Sequence, residues 1–312
     1  MRIFLGGSKG LVLYEDGEIT QLHSEPLLSA VKPNAGRLVA GSESGSIVVW
    51  DGNSDARVSE KDLGKSVQAL AAPGGGSVFA GTFPAGMWSS ADDGETWSEV
   101  AGFAAAPDRR RWTAPWGTAL VSSIATHPKD PLTAFCGIEV GGAYRTRDSG
   151  ATWTDLGLPV DDVHSVEVCP ARPDRIFVTT GEGCYCSDDQ GFAWRRMGKS
   201  NKRTYTMGLA AHPSEVDRVI VSAAKGPPPT WRGDAGAGCD VYLSTDCGRR
   251  FRTVMHNLRA GVHRQALVIN AKVPSEVVFG TSQGELYYSN DGGETFDLEA
   301  DDLGDIRTIV FA

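Results

Sequence analysis

The sequence lacks the features that mark secreted, membrane-spanning or nucleic-acid-binding chains. No apolar run approaches the roughly 18 residues that a membrane-spanning helix needs. The first ten residues, MRIFLGGSKG, have no basic segment, long apolar stretch or small-residue cleavage site of the kind found in signal peptides. Basic residues number 30 against 39 acidic ones, and the net charge of −9 disfavours binding to nucleic acid or an anionic membrane. We therefore expect a cytoplasmic protein with neither kind of partner.

Cysteine is also scarce, with six residues in a chain of 312, too few for a disulfide scaffold at this length. Cys184 and Cys186 lie two positions apart in a predicted strand without a second Cys or His pair nearby, which favours buried thiols over a metal site. The chain has no Gly-x-Ser-x-Gly nucleophile turn, phosphate-binding loop or dinucleotide fingerprint. The sequence predicts no metal ligands and assigns no cofactor.

Glycine is abundant instead. The chain has 38 glycines without a Gly-X-Y period, which indicates many tight turns between short strands. Five segments share the form Ser/Thr-x-Asp-x-Gly-x-x-aromatic; these repeat turns are Ser90–Trp97, Thr146–Trp153, Ser187–Trp194, Ser244–Phe251 and Ser289–Phe296. In such a segment the Asp can accept hydrogen bonds from backbone amides, the Gly can take a positive φ, and the aromatic ring can pack beneath the hairpin.

The repeat turns recur within a larger unit of four predicted strands, in which each turn joins the third strand to the fourth. Two further units, near residues 2–17 and 37–52, have the same spacing of strands but no complete repeat turn. Seven units of roughly 40 to 57 residues match the blades of a β-propeller. The first unit lacks an inner strand and the chain ends in the apolar segment 306–312, which can supply it and leave no open sheet edge. We predict an all-β, single-domain, seven-bladed propeller over residues 1–312, with four-stranded blades and the C-terminal strand joining the N-terminal blade.

The repeat turns resemble the Asp-box (BNR) repeats of sialidase-like β-propellers, and the resemblance spans essentially the whole chain. That superfamily includes sialidases, other glycoside hydrolases, the sortilin luminal domain and photosystem II assembly factors. The resemblance implies that the Asp and Ser residues of the turns are structural. Sialidases also use an arginine triad, a Tyr–Glu nucleophile pair and an acid/base Asp. Their Phe/Tyr-Arg-Ile-Pro motif is absent here, since Met1–Phe4 is not equivalent to it, and sialidase activity is therefore not expected.

Binding residues of a propeller are expected in the loops that enter the inner strands and that join second to third strands, because these loops meet at one face. The predicted loops are 104–118, 158–164, 198–205, 258–264 and 301–307, and 81–86, 137–141, 180–183 and 225–234. Among the basic residues in these loops are Arg109, Arg110, Arg111, Lys199, Lys202, Arg203, Lys225, Arg232, Arg259 and Arg264. The alternative is that these are ordinary charged surface loops whose Trp residues pack under their own insertions.

The candidate site residues come from these loops. The catalytic candidates are His164, His263, Tyr205, Glu139 and Glu182, and the candidate ligand contacts are Arg203, Arg264, Trp112, Trp116, Trp231 and Arg232. Guanidinium groups suit carboxylates or phosphates, Trp faces suit sugars, and a carboxylate pair suits acid/base hydrolysis. Glu139 and Glu182 are expected at equivalent points of neighbouring blades. His164, Arg203, Tyr205, His263 and Arg264 are expected in one quadrant of the axial funnel.

Two functions follow from these residues. The first is a propeller that binds an anionic or sugar-like small molecule in its funnel and acts as a hydrolase of the glycoside-hydrolase type. The second is a non-catalytic scaffold that presents a rim to a protein partner. A structural role also stays open for Arg203 and Arg264, which can pair with Asp162 and Asp305 to hold the loops.

Overall fold

A computed structural model describes residues 1–52, 57–198 and 201–312 of the chain, and these residues form a β-propeller of seven four-stranded antiparallel sheets. The all-β, seven-bladed prediction is confirmed. Among the described residues, no helix is both long enough and apolar enough to cross a membrane.

The sheets follow one another along the chain. The first contains β1 (Arg2–Gly7), β2 (Gly10–Glu15) and β3 (Glu18–His23), and the second contains β4 (Leu27–Asn34), β5 (Arg37–Ser42), β6 (Ser46–Trp50) and β7 (Arg57–Asp62). The third contains β8 (Ser66–Gly74), β9 (Ser77–Phe83), β10 (Met87–Ser90) and β11 (Ser98–Glu99), and the fourth contains β12 (Leu120–Thr126), β13 (Ala134–Glu139), β14 (Gly142–Thr146) and β15 (Thr154–Asp155). Between the third and fourth sheets lie a short helix, α1 (Ala101–Ala104), and one turn of 3₁₀-helix (Arg109–Arg111).

The remaining sheets have the same organisation. The fifth contains β16 (Val163–Val168), β17 (Ile176–Thr180), β18 (Gly183–Ser187) and β19 (Arg195–Arg196), and the sixth contains β20 (Tyr205–Ala211), β21 (Val219–Ala224), β22 (Cys239–Ser244) and β23 (Arg252–Leu258). The seventh contains β24 (Leu267–Ile269), β25 (Val277–Gly280), β26 (Leu286–Ser289) and β27 (Asp297–Ala300). A second turn of 3₁₀-helix, Pro228–Thr230, lies between β21 and β22.

The last strand, β28 (Ile306–Phe311), lies beside β1 as the fourth strand of the first sheet. The amide of Ala312 donates to the carbonyl oxygen of Arg2 at 3.1 Å. The predicted closure by the C-terminal strand is therefore confirmed. By its contacts the chain divides into two compact units, residues 1–166 with 310–312 and residues 167–309, and the single-domain assignment stays a prediction.

The five repeat turns share one set of hydrogen bonds, and each joins the third strand of its sheet to the fourth. In the first turn the Ser90 hydroxyl donates to Asp92 at 2.8 Å and accepts from the Gly94 amide at 2.9 Å. The Trp97 indole N–H donates to the Gly94 carbonyl at 2.9 Å. The bond from the turn glycine to the first Ser or Thr measures 2.8–2.9 Å in all five. Hydrogen bonds from Thr96 lower the pKa of Asp92 to about 2, so this carboxylate is committed to the turn.

Glycine near the end of the second strand lets neighbouring sheets approach each other. A Cβ on Gly81 would lie 2.4 Å from Val121 Cγ1, and one on Gly137 would lie 2.5 Å from Val163 Cγ1. Val121 and Val163 belong to the first strands of the sheets that follow. No larger residue fits at these two points. The close approach at Gly137 brings Glu139, two residues further along β13, to the start of β16.

Candidate functional site

Three side chains with metal-ligand or acid/base chemistry, Glu139, Asp162 and His164, come together in the first unit. Glu139 is the last residue of β13, and Asp162 and His164 flank the first residue of β16. An isolated antiparallel bridge pairs Glu139 with Asp162. Next to it the Gly141 amide donates to the Asp161 carbonyl oxygen at 2.8 Å. Backbone pairing between the two strands therefore fixes the positions of the residues that carry these side chains.

In this Glu139–Asp162–His164 cluster, one ligand atom from each residue lies within 4.8 Å of the other two. His164 is only 1% exposed, and its Nε2 is 3.5 Å from Asp162 Oδ1. Both acids are half-buried, so the imidazole is the least accessible of the three groups. The three groups can exchange protons with a bound molecule. The same imidazole and two carboxylates would also suit a divalent cation such as Zn²⁺.

Trp112, predicted as a ligand contact, is instead a core residue beneath its own insertion. The side chain is 6% exposed, and its indole N–H donates to the Tyr144 hydroxyl at 2.8 Å. Arg109 lies over the ring at 4.9 Å from its centroid, and the Phe103 ring lies 5.2 Å away. A ring enclosed in this way has no face for a sugar. Trp112 does shape the site, because a Cβ on Gly141 would come within 2.9 Å of it.

Trp116 lies in the same insertion but is 53% exposed. Its role as a ligand contact stays a prediction. The neighbouring run Arg109–Arg111 lines an open pocket of about 680 Å³ together with Ala104–Ala106 and Asp108. Burial lowers the pKa of Arg109, which packs on aromatic rings rather than facing a ligand.

The second unit contains a histidine oriented by a carboxylate. His263 Nε2 and Asp305 Oδ1 are 2.8 Å apart, and Arg307 Nε donates to the other Asp305 oxygen at 3.0 Å. Burial raises the pKa of Asp305, but the bonds from His263 and Arg307 outweigh it and the net pKa is lowered. An imidazole held by a carboxylate is suited to proton transfer. Asp305 therefore anchors His263 and Arg307, whereas the alternative network paired Arg203 and Arg264 with Asp162 and Asp305.

Trp231 packs against this pair and is also a core residue rather than the predicted ligand contact. It is buried, its ring centroid is 5.2 Å from that of His263, and its indole N–H donates to the Gly226 carbonyl at 2.9 Å. A Cβ on Gly261 would lie 2.2 Å from the indole ring. Trp231 therefore packs between its own insertion and the segment that leads into β24, in line with the alternative interpretation.

Arg203 holds backbone and a buried acid. Its Nε donates to the Gly238 carbonyl at 3.0 Å and lies 4.0 Å from Asp240 Oδ2. Asp240 is buried and accepts from the Tyr242 hydroxyl at 2.9 Å and from the Asn257 amide at 2.7 Å. This network joins β22 to β23. It favours the structural role for Arg203 over recognition of a ligand.

The other predicted residues lie at the surface or at strand starts. Glu182 and Arg232 are exposed, whereas Tyr205 at the start of β20 and Arg264 are half-buried. Glu182 lies five residues before Ser187, whereas Glu139 lies seven residues before the matching Thr146. The two acids are therefore not at equivalent positions. Ile138 and Thr180 each pair with the glycine that begins the third strand, so Gly181 is the counterpart of Glu139.

The candidate residues are divided between the two units. Glu139, His164, Trp112 and Trp116 belong to the first, and Glu182, Arg203, Tyr205, Trp231, Arg232, His263 and Arg264 belong to the second. The gathering of His164, Arg203, Tyr205, His263 and Arg264 in one quadrant stays a prediction, and Lys199 lies outside the described residues. Sequence reasoning placed Asp162 and Asp305 in the right loops but not in the site. The signal available was that each precedes an inner-strand basic or imidazole residue by two positions.

Comparison with known proteins supports the fold. The similar proteins have different functions, some being glycoside hydrolases and others not. A family model described as Sortilin-Vps10 (sortilin, neurotensin receptor 3) matches residues 141–265. A probable oligoxyloglucan-reducing end-specific xyloglucanase of Neosartorya fischeri is 27% identical over 173 residues, which cover 52% of this chain and 20% of that protein. The chain therefore spans about a fifth of the length of that relative.

Solved structures similar to this chain fall into two groups. The GH74 xyloglucanase from Xanthomonas campestris is similar over 96% of this chain and 52% of its own, with a TM-score of 0.74 and 14% identity. The structure of YCF48 bound to D1 peptide is similar over 95% of this chain and 88% of its own, with a TM-score of 0.65 and 17% identity. At these identities the likeness shows the propeller fold alone.

Proposed function

We propose that this chain binds a saccharide at the Glu139–Asp162–His164 cluster and hydrolyses a glycosidic bond there. The observation that carries the proposal is the approach of two carboxylates and a buried imidazole to within 4.8 Å of one another. Glycoside hydrolysis commonly uses two carboxyl groups, and a separation of about 5 Å is typical of enzymes that retain the anomeric configuration. We therefore expect retention.

The geometry suggests a role for each residue. His164 Nε2 lies 3.5 Å from Asp162 Oδ1, so we assign Asp162 as the nucleophile and His164 as the group that orients it. Glu139, which approaches from the neighbouring sheet and is half-buried, is then the general acid. Closing of the cluster around a sugar would exclude water and strengthen these interactions.

The comparisons support the class of enzyme proposed, a glycoside hydrolase. The N. fischeri and X. campestris proteins are named as xyloglucanases, so xyloglucan oligosaccharides are the first saccharides to test. Assignment of the chain to the Asp-box, sialidase-like propellers is part of the proposal, supported by the five repeat turns with a shared hydrogen-bond pattern.

The test is hydrolysis of a panel of aryl glycosides and xyloglucan oligosaccharides by the purified chain and by two isosteric variants. Glu139→Gln and Asp162→Asn should each lower kcat/KM by about 100-fold or more, the range for loss of an acid/base group. Glu182→Gln, in the exposed turn of the neighbouring sheet, is the matched control and should leave the rate unchanged. The anomer first released, read by proton NMR, reports retention or inversion.

Several outcomes would refute parts of the proposal separately. Hydrolysis that survives both isosteric variants places the chemistry elsewhere. A saccharide-induced rise in Tm that Glu139→Gln abolishes, without any turnover, would support binding and refute hydrolysis. Rates that fall with EDTA and return with Zn²⁺ would show that the cluster acts through a cation rather than by direct proton transfer.

A second candidate function is peptide binding without catalysis. The specific observation in its favour is coverage, since the YCF48–peptide structure is matched over 88% of its length and the xyloglucanase over 52%. Exposed aromatic side chains such as Trp116 and Phe192 could contact a partner. Screening immobilised peptides against the chain and its Trp116→Ala variant distinguishes this function, because a saccharide hydrolase should retain no peptide specifically.

A further inference from the structure

Two thiols of the second unit, Cys186 and Cys247, touch across neighbouring sheets. Cys186 is on β18 of the fifth sheet, and Cys247 lies in the repeat turn of the sixth. Their sulfur atoms are 3.6 Å apart, and both side chains are buried. An S–S bond is about 2.0 Å long, so a small movement of the two side chains would bring the sulfur atoms to bonding distance.

The surroundings of the pair distinguish one sulfur from the other. Arg195 donates to the Cys247 carbonyl oxygen at 2.9 Å, and the same nitrogen lies 3.3 Å from the Cys247 sulfur. The contact with the Cys186 sulfur lowers the pKa of Cys247 to about 7, with the charges of Arg175 and Arg195 acting in the same direction. The same contact raises the pKa of Cys186. Because the Arg195 nitrogen lies beside its sulfur, Cys247 is the thiol of the pair that ionises more readily.

The repeat turn itself does not require a thiol at position 247. The four counterparts of Cys247 are Asp93, Ser149, Gln190 and Gly292, and all five residues have a positive φ. In every turn the amide at this position donates to a backbone carbonyl, at 2.7–3.0 Å. The backbone thus accepts very different side chains at this position. A cysteine placed here against a second cysteine is therefore not explained by the needs of the turn.

We propose that Cys186 and Cys247 are a site of reversible oxidation by a peroxide, which closes a disulfide between the fifth and sixth sheets. The Cys247 thiolate attacks one oxygen of hydrogen peroxide, the O–O bond breaks, and hydroxide leaves and takes up a proton to become water. The Cys186 sulfur then displaces water from the Cys247 sulfenic acid as the S–S bond forms. Overall, two thiols and one peroxide give one disulfide and two waters. This site is independent of the proposed saccharide site.

The experiment uses the full chain, reduced and desalted, then exposed under native conditions to a few equivalents of hydrogen peroxide. Alkylation after unfolding should find four free thiols instead of six, and peptide mapping should find Cys186 joined to Cys247. Dithiothreitol should restore all six. Because the thiols are buried, oxidised glutathione should react far more slowly than peroxide. The cross-link closes a long loop, so Tm should rise by roughly 5 °C.

Three variants test the order of the steps. Cys186→Ser should accumulate a sulfenic acid at Cys247 that dimedone traps, whereas Cys247→Ser should leave Cys186 unlabelled. Cys169→Ser, at a buried cysteine of the same core, is the matched control and should form the cross-link normally. The peptide map of the wild-type chain decides the matter even where a variant folds poorly. Six free thiols after peroxide, a cross-link between any other pair, or one that dithiothreitol does not reverse would overturn the proposal.

Discussion

Glu167 is a carboxyl group whose charge is poorly solvated. It is on β16 and accepts a hydrogen bond from the Ala211 amide at 3.3 Å. Burial raises its pKa from 4.5 to about 7, and the bond from Ala211 offsets only part of that effect. A pKa raised in the folded state means that folding favours the protonated form of Glu167. Its contribution to the free energy of unfolding is therefore fully present below pH 4.5 and is lost as the pH rises through 7.

Replacing Glu167 by Gln should remove this pH dependence, because the amide keeps an acceptor for Ala211 and carries no charge. At pH 5 the variant and the wild type should have similar Tm values, and at pH 8 the variant should be more stable by about 2 kcal/mol. Thermal melts from pH 5 to pH 8.5 measure the difference, with Glu182→Gln at an exposed site as control. A stability difference that does not change with pH would contradict the assignment.

At the scale of the residue, the sequence indicates which side chains can carry chemistry but not what surrounds them. Glu139 and His164 were selected because their side chains can transfer protons, and the structure brings them together with Asp162. Trp112 and Trp231 were selected for their flat faces, but both are buried: the Trp112 indole N–H donates to Tyr144 on β14, and that of Trp231 donates to Gly226 in its own insertion. Which face of an insertion meets the core depends on contacts far along the chain, which a local pattern does not contain.

The repeat turn is the element on which each sheet depends. Trp97 is buried beneath its turn and donates to the Gly94 carbonyl, so Trp97→Ala should lower the free energy of unfolding by about 3 to 5 kcal/mol. Ligand binding per folded molecule should hardly change, because the turn's Asp and Ser are engaged in the turn itself. Chemical denaturation measures the first effect and titration of the folded fraction the second.

Phe192→Ala is the matched control for that substitution. Phe192 lies in a repeat turn as well but is 74% exposed, so its loss should change stability by no more than about 0.5 kcal/mol. A stable Trp97→Ala protein that had lost its ligand would show that the turn is functional rather than structural.

At the scale of the element, the sequence predicts most of the architecture because each turn is a local structure. The Ser/Thr, Asp and Gly of one segment satisfy one another within four residues, and the pattern recurs five times. The pairing register of the neighbouring strands is harder to predict from the sequence. Glu182 was aligned with Glu139 although the strand pairing places Gly181 there, because the turn between the second and third strands is one residue shorter in the fifth sheet than in the fourth.

The whole molecule depends on β28, which completes the first sheet. Deleting residues 306–312 removes that strand and leaves β1 with an unpaired edge. The apolar side chains Val310 and Ala312 also pack on the core around Phe4 and Leu27. We expect the truncated chain to be insoluble or unfolded, as judged by soluble yield and circular dichroism. A truncated chain that melts like the full-length protein would contradict the closure.

The pairing of β1 with β28 also has a consequence for the order of folding. The Ala312 amide and the Arg2 carbonyl are hydrogen-bonded although 310 positions separate them in the sequence, whereas the other strand pairs join neighbours along the chain. Closing so long a loop costs more conformational entropy than forming a hairpin, and contacts of this range form slowly. The first sheet should therefore be completed last during refolding, and in deuterated solvent the amides of β28 should exchange earlier than those of β21 or β25.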